Sequence, residues 1–470
     1  MNDPSNQTHD SQILTVMNPF SLEPVGEVVR PDWDFADRWL DRATQLHRQR
    51  NNWLPAHQRI AILKRAAALM RDRFDELAFL IANEGGKPLI DARIEVERAI
   101  DGVGLAVEGI GHLQGSELPM DLTAAGAGRM AFTTREPIGP VVAISAFNHP
   151  LNLIVHQVAP AVAVGCPVIV KPADDTPLSA RAFVEILIEA GLPGEWCAFF
   201  PCDIPTAEKL VTDARVAFFS FIGSSKVGWM LRSKLAPGTR CALEHGGAAP
   251  VIVDDSADID AMVPSLIKGG FYHAGQVCVS VQRIYVPRAL AQSVAEKLAD
   301  GASKLVVGNA VEETTDVGPL IRPREVQRVA DWVEEAASDG GRILCGGKSV
   351  GKTAYLPTVV LDPPRHVRLS SAEIFGPVVA VFAYDDLDDA IALANALPFA
   401  FQASGFTRRL DVATKLIQSL DATAVMINDH TAFRVDWMPF AGRRESGYGT
   451  GGIGYTMHDM TQDKMAVIKL

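Results

Sequence analysis

Four residue settings in this chain could do chemistry. Cys278 lies in "FYHAGQVCVS" (271–280), after a Gly-Gln turn and before a Val-rich run. A cysteine there is either a small apolar filler or a nucleophile, since a thiolate can attack an electrophilic carbon and later leave. Glu244 lies in "LEHGG" (243–247), after the apolar run "CAL". Partial desolvation there would raise its pKa toward that of a general base; the bland reading is a salt-bridged loop glutamate. Asn148 closes the apolar run "PVVAISAFN" (140–148). Its amide is a hydrogen-bond donor, although an Asn after a strand is more often a turn or cap residue. Gly223 and Ser224 open "GSSKVG" (223–228) after "VAFFSFI". Backbone N–H groups at such a helix start can meet a pyrophosphate.

Those settings need a scaffold. Between residues 140 and 247, short and almost wholly apolar strands alternate with helices: "PVVAISAFN", "PVIVK", "EWCAFFP", "VAFFSFIG" and "RCALEHGG", with helices at 152–164, 177–190, 205–212 and from 224. Strands of that kind form a parallel sheet covered on both faces, here a Rossmann-like one. The alternation restarts at Ala248 with "PVIV", "RIYVP", "GPVVAVFAY" and "TAVMIN", which implies a second α/β domain. Upstream, 56–82 reads as one amphipathic helix and 88–109 as another. Two strand-like runs, "RMAFTTRE" and "KMAVIKL", fit neither domain and are expected to pair with each other or with a second subunit.

Composition narrows the function classes. A chain of 470 residues is too long for one core, so two or three domains are expected. With 44 basic against 56 acidic residues the net charge is −12, which argues against nucleic-acid binding. The six cysteines, Cys166, Cys197, Cys202, Cys241, Cys278 and Cys345, form no CxxC pair and no zinc-ligand spacing, so no metal is expected. In a large chain they read as reduced thiols of a cytoplasmic compartment. The polar start (1–12) lacks the apolar core of a signal peptide, and no apolar run reaches the ~18 residues of a membrane helix.

"AFNHP" (146–150), "VKP" (170–172), "FIGSSKVG" (221–228), "LEHGG" (243–247), "GQVC" (275–278) and "EIFGPV" (373–378) occur in that order, followed by "MPFAGRRESGYGTGGIGY" (438–455). This series resembles the aldehyde dehydrogenase superfamily over roughly residues 15–470. The tail resembles the branch acting on small polar aldehydes such as lactaldehyde, succinic semialdehyde and phosphonoacetaldehyde.

The resemblance implies an α/β fold in three parts. These are an NAD(P)-binding domain (1–118 and 138–245), a catalytic domain (246–440) and small bridging or oligomerisation strands (119–137 and 455–470). It implies Cys278 as nucleophile, Asn148 and the Cys278 N–H as oxyanion donors, and Glu244 as general base. Glu244 implies water as acyl acceptor, because branches that pass the acyl group to coenzyme A or phosphate generally lack it. A coenzyme A-acylating enzyme and a non-catalytic structural member are the rival readings.

For the dinucleotide, the resemblance points to Lys171 at the adenosine ribose, Gly223 and Ser224 at the pyrophosphate, and Glu373 with Phe375 at the nicotinamide ribose. Ser145 and Phe147 complete the cofactor set. Phe147 stands where many members have Trp, and His245 where Leu is common. Asp174 stands where NAD-preferring members carry Glu, so NAD is expected, with NADP possible. Val277 stands where relatives that take strongly anionic substrates often have Arg. Other candidate substrate contacts are Arg98, His149, His156, Phe433 and Arg434, and Trp437 is a candidate for the tunnel wall or core. A dimer or tetramer is expected, with a small aldehyde as substrate.

Overall fold

The chain is described from a computed structural model that covers residues 12–470. The polar start read for a leader (1–11) lies outside the described residues.

Five apolar strands run parallel in one sheet, in the order Arg240–Glu244, Phe218–Ile222, Val141–Ile144, Val168–Lys171 and Cys197–Phe199, and the short Gly447–Tyr448 adds an antiparallel sixth on the Arg240–Glu244 edge. Alternate side chains leave a strand on opposite faces. Val141, Ala143, Val168 and Val170 therefore enter the core beneath helices Ala56–Asp72, Leu89–Ile110 and Asn152–Val164. Val142, Ile169, Phe219 and Phe221 enter a second core beneath helices Trp33–Arg48 and Ile204–Val211. Burial on both faces is why these strands show no polar alternation. The chain begins the sheet at its centre, builds outward through Val168–Lys171 and Cys197–Phe199, then returns to the other side of Val141–Ile144. The point where the order reverses, between Val141–Ile144 and Phe218–Ile222, is where such sheets open a ligand crevice.

A second sheet has seven strands in the order Arg342–Cys345, Thr358–Leu361, Val378–Tyr384, Val281–Pro287, Ala249–Val253, Gln402–Phe406 and Ala424–Ile427. Only the first of them runs antiparallel to its neighbour. The two stray runs pair with each other: Thr461–Lys469 lies antiparallel to Arg129–Pro137 in unbroken register from Thr461 opposite Pro137 to Lys469 opposite Arg129. An N-terminal hairpin, Gln12–Met17 with Pro24–Arg30, seats Val16 and Val28 on Leu178.

Several expectations need correction. The 56–82 helix is two, Ala56–Asp72 and Phe74–Gly85, because the backbone leaves the helical region at Arg73 (φ −108°, ψ 24°). The strand expected over 140–148 stops at Ile144, which pairs with Lys171, the last residue of its strand, and with Phe221, the residue before the last of Phe218–Ile222. Asn148 therefore sits in a loop rather than at the strand end. The tail is not all strand: Ile453–Asp459 is a helix packed by Ile453 and Met457 into the core below the first sheet. Glu117–Leu118, expected in the nucleotide-binding domain, pairs instead with Arg129–Pro137.

Candidate active site

Every site residue singled out in the sequence except Trp437 lines one cavity of about 860 Å³ between the two sheets. Ser145, Phe147, Asn148 and His149 follow the strand Val141–Ile144. Lys171 and Asp174 follow Val168–Lys171, and Gly223 and Ser224 follow Phe218–Ile222. Cys278, Glu373, Phe375, Phe433 and Arg434 come from the other side.

The loop that carries Cys278 is built by the residues just before it. Helix Ile259–Phe271 ends, and His273, Ala274 and Gly275 all take positive φ (47°, 54° and 69°). Gly275 is required there, since a Cβ would stand 2.1 Å from the Gly376 carbonyl oxygen. Gln276 fixes the loop by donating to Pro319 O (3.2 Å) and accepting from Ile321 N (2.9 Å). The Asn148 amide donates to Gln276 O at 2.9 Å, which joins the first sheet's loop to the Cys278 loop. An amide has two N–H donors, so one remains for a ligand. Among the described residues no backbone carbonyl accepts from the Cys278 N–H, which faces the residue's own thiol.

Cys278 is half-buried, and its thiol pKa is pushed up to about 12 by burial, then by Glu373 and Glu244, against the pull of Arg434. The resting group is a thiol, so a base must take its proton. Glu244 ends the strand Arg240–Glu244, and burial lifts its carboxyl to about 6 while Arg434 pulls it down. It is therefore mostly ionised at neutral pH, yet basic enough to accept a proton. The glycines around it make room. A Cβ on Gly451 would stand 1.9 Å from Glu244 Oε1, and one on Gly246 would stand 1.9 Å from Glu373 Oε2. "LEHGG", "EIFGPV" and the closing glycine run thus meet at one place. Glu373 accepts from Gly247 N at 3.0 Å, and burial lifts its pKa to about 7.

The cofactor-side residues fit a dinucleotide. The start of helix Ser225–Arg232, Lys171 and Glu373 all border the cavity. The buried Ser145 hydroxyl has no partner of its own, so it is available to a ligand. Phe147 and Phe375 meet edge to face, 6.0 Å between centroids. His245 does not reach across the cleft. It packs between Trp229 and Phe221, and its Nδ1 lies 2.9 Å from Glu445 O.

The substrate-side candidates separate into two groups. Arg98 and His156 are engaged by Asp436, a residue the sequence did not single out. Arg98 binds it through two hydrogen bonds (2.8 and 3.0 Å), and His156 Nε2 lies 2.7 Å from Asp436 Oδ1. Burial lowers the His156 pKa to about 4, so the ring is neutral and donates from Nε2. His149 lies 3.3 Å from the Tyr272 hydroxyl, and burial, then Lys87 and Arg98, hold it neutral. Val277 packs with Val279, Phe401 and Phe440. Phe433 lines the cavity while partly exposed, whereas Trp437 points to solvent (66 % exposed) and forms neither tunnel wall nor core. Arg434 and Asp436 face inward on that segment, which turns Trp437 outward.

Arg434 is different. Its guanidinium lies 3.5 Å over the Phe440 ring, 4.0 Å from Asp436 and 3.4 Å from His156 Nδ1, and its Nε is buried without a partner. It is a cation in the cavity wall whose hydrogen-bonding capacity is largely open.

The family model described as "Aldehyde dehydrogenase family" matches residues 6–466. The chain belongs to the aldehyde dehydrogenase family. It is 36 % identical to the 3-sulfolactaldehyde dehydrogenase of Priestia aryabhattai, covering 97 % of this chain and 95 % of that one. Among solved structures it is similar to aldehyde dehydrogenase 21 from Physcomitrella patens in complex with the reaction product succinate. There the TM-score is 0.94 at 36 % identity, over 98 % of this chain and 96 % of the other. It is also similar to the glyceraldehyde-3-phosphate dehydrogenase of Methanocaldococcus jannaschii complexed with NADP. That match has a TM-score of 0.93 at 34 % identity, over 98 % and 100 %. This aldehyde dehydrogenase has no helix long and apolar enough to cross a membrane among its described residues.

Proposed function

We propose that this enzyme oxidises a small aldehyde with a polar or anionic far end to its carboxylate, with NAD(P) as acceptor, Cys278 as nucleophile and water as acyl acceptor. The observation that carries the reading is that Cys278, Asn148 and Glu244, from three separate elements, border one cavity. Glu244 takes the thiol proton, and the Cys278 sulfur bonds to the aldehyde carbon. The free Asn148 N–H and the Cys278 N–H stabilise the resulting oxyanion. The dinucleotide supplies the hydride acceptor, and Cys278 is left as a thioester. Once Glu244 has given up that first proton to solvent, it takes a proton from water, the hydroxide adds to the thioester carbon, and the sulfur leaves as thiolate. Lys171, Ser145, Glu373 and the helix start at Ser225 would hold the dinucleotide.

Arg434 supports an anion at the substrate's far end, because its open donors suit a carboxylate, sulfonate or phosphate. The relatives' names support the same class: sulfolactaldehyde, a succinate product and glyceraldehyde 3-phosphate. Val277 leaves the position beside the nucleophile apolar, so the cation would come from Arg434, which stacks on Phe440 beside Val277.

The stray-strand sheet supports a homo-oligomer. It presents Met130, Phe132 and Ile468 (39–43 % exposed) on one face and Met465 and Val467 (46–55 % exposed) on the other, apolar surface for a second copy. All six cysteines are free, which supports a cytoplasmic setting.

The test is NADH and NADPH production with lactaldehyde, glycolaldehyde, succinic semialdehyde, benzaldehyde and hexanal, with and without coenzyme A. Turnover without coenzyme A that is lost in Cys278→Ala supports the reading. Turnover that requires coenzyme A, or that survives in Cys278→Ala, contradicts it.

A further inference from the structure

The N-terminal hairpin brings a cation to the edge of the cavity, against Asp174, which lines it. Its second strand, Pro24–Arg30, closes on the helix Pro177–Glu189 through Val28 and Leu178. Gly26 permits that approach, since a Cβ would stand 2.9 Å from Leu178 Cδ1, and Arg181 donates to Glu27 O at 3.1 Å. The strand therefore ends with Arg30 held beside the loop that follows Val168–Lys171. Arg30 Nη2 donates to Asp174 Oδ2 at 2.7 Å, and Lys171 Nζ donates to Asp174 Oδ1 at 2.7 Å. Arg30 Nε is buried and has no partner.

A carboxylate at the ribose edge favours NAD in two ways. It accepts from the 2′-hydroxyl, and it repels a 2′-phosphate. Asp174 is compromised in both. Each of its oxygens already accepts from a cation, and two cations face the one carboxylate. Neighbouring carboxylates are engaged elsewhere. Asp175 pairs with Arg322 at 2.7 Å, and Asp203 caps the helix Ile204–Val211 through Thr206 N at 2.9 Å.

We propose that Arg30 is a dinucleotide-specificity residue: together with Lys171 it receives the 2′-phosphate of NADP, so that the enzyme takes both dinucleotides. A guanidinium suits this role because it forms paired, charge-assisted bonds to phosphate oxygens. The inference rests on the reading that the cleft holds NAD(P). It adds the residue that sets which form is accepted, from a hairpin that belongs to neither large sheet.

Calorimetric titration of the full chain with NAD⁺ and NADP⁺ tests this without any aldehyde. Adenosine 5′-monophosphate and adenosine 2′,5′-bisphosphate serve as probes of the 2′-phosphate alone. Wild-type protein is expected to bind NADP⁺ within about tenfold of NAD⁺. Arg30→Ala is expected to lower the NADP-to-NAD affinity ratio by about ten- to a hundredfold, the usual consequence of losing a bond to a charged group, with Arg30→Lys recovering part of it. The bisphosphate should lose affinity in the same variants relative to the monophosphate. An unchanged ratio in both variants overturns the proposal. So does an equal loss for both dinucleotides, which would mark Arg30 as a prop for the hairpin. Wild-type protein that binds neither dinucleotide overturns the cofactor reading itself, and the proposal with it.

Discussion

Asn148 Nδ2 lies 2.9 Å from Gln276 O and donates to it, so the proposed oxyanion donor and the backbone that carries the nucleophile form one unit. That bond fixes the amide orientation before any ligand arrives. Asn148→Ala should therefore lower kcat/KM by about 10²–10³-fold, the usual loss for one preorganised oxyanion donor. Steady-state kinetics on the best aldehyde checks this; a loss of threefold or less would remove Asn148 from the role.

Glu244 titrates at about 6 because burial outweighs the nearby Arg434. A general base works only when deprotonated. Turnover should be full above pH 7 and fall as pH drops through about 6. The kcat profile of wild-type enzyme against Glu244→Gln is the check, and the acid limb should vanish in the slower variant.

Arg434 should act on binding and on pH dependence together. Replacing it by Met removes the open donors, so KM for succinic semialdehyde should rise about tenfold or more while KM for hexanal changes little. It also removes the positive charge that favours ionised Glu244, so the acid limb should move to higher pH. Arg434→Lys should keep the limb in place. A uniform rise in KM for both aldehydes would assign Arg434 to packing on Phe440.

The fully buried Lys87 forms an ion pair with Glu95. Glu95 Oε1 accepts from Leu151 N (2.9 Å) and Asn152 N (3.0 Å), at the start of helix Asn152–Val164, where no side-chain N-cap exists. Lys87→Met strands a buried carboxylate and should cost about 3–5 kcal/mol of stability. Urea unfolding measures it, and the double variant with Glu95→Gln should recover part of the loss.

Much of this was readable in the sequence, for physical reasons. The strands Val141–Ile144, Val168–Lys171 and Phe218–Ile222 are buried on both faces, so each appears as an unbroken apolar run. The site motifs were visible because each combines a chemical group with the glycines that admit it. What the sequence hid are pairings between distant residues. Asp436 gathers Arg98 and His156 across 338 and 280 positions, and Arg30 reaches Asp174 across 144. No local pattern marks such partners. The break at Arg73 was hidden as well, because the apolar spacing continues across it.

The central claim is that Cys278 carries the acyl group and Glu244 releases it. Wild-type protein should be mixed with NAD⁺ and the aldehyde it turns over best, quenched in acid within the first turnover, digested and analysed by mass spectrometry, alongside Glu244→Gln, in which both formation and release of the acyl group should be slow. The account predicts a peptide containing Cys278 heavier by one acyl group, absent in Cys278→Ala. An acyl group on another residue, or Cys278 unmodified while NADH still forms, would contradict it.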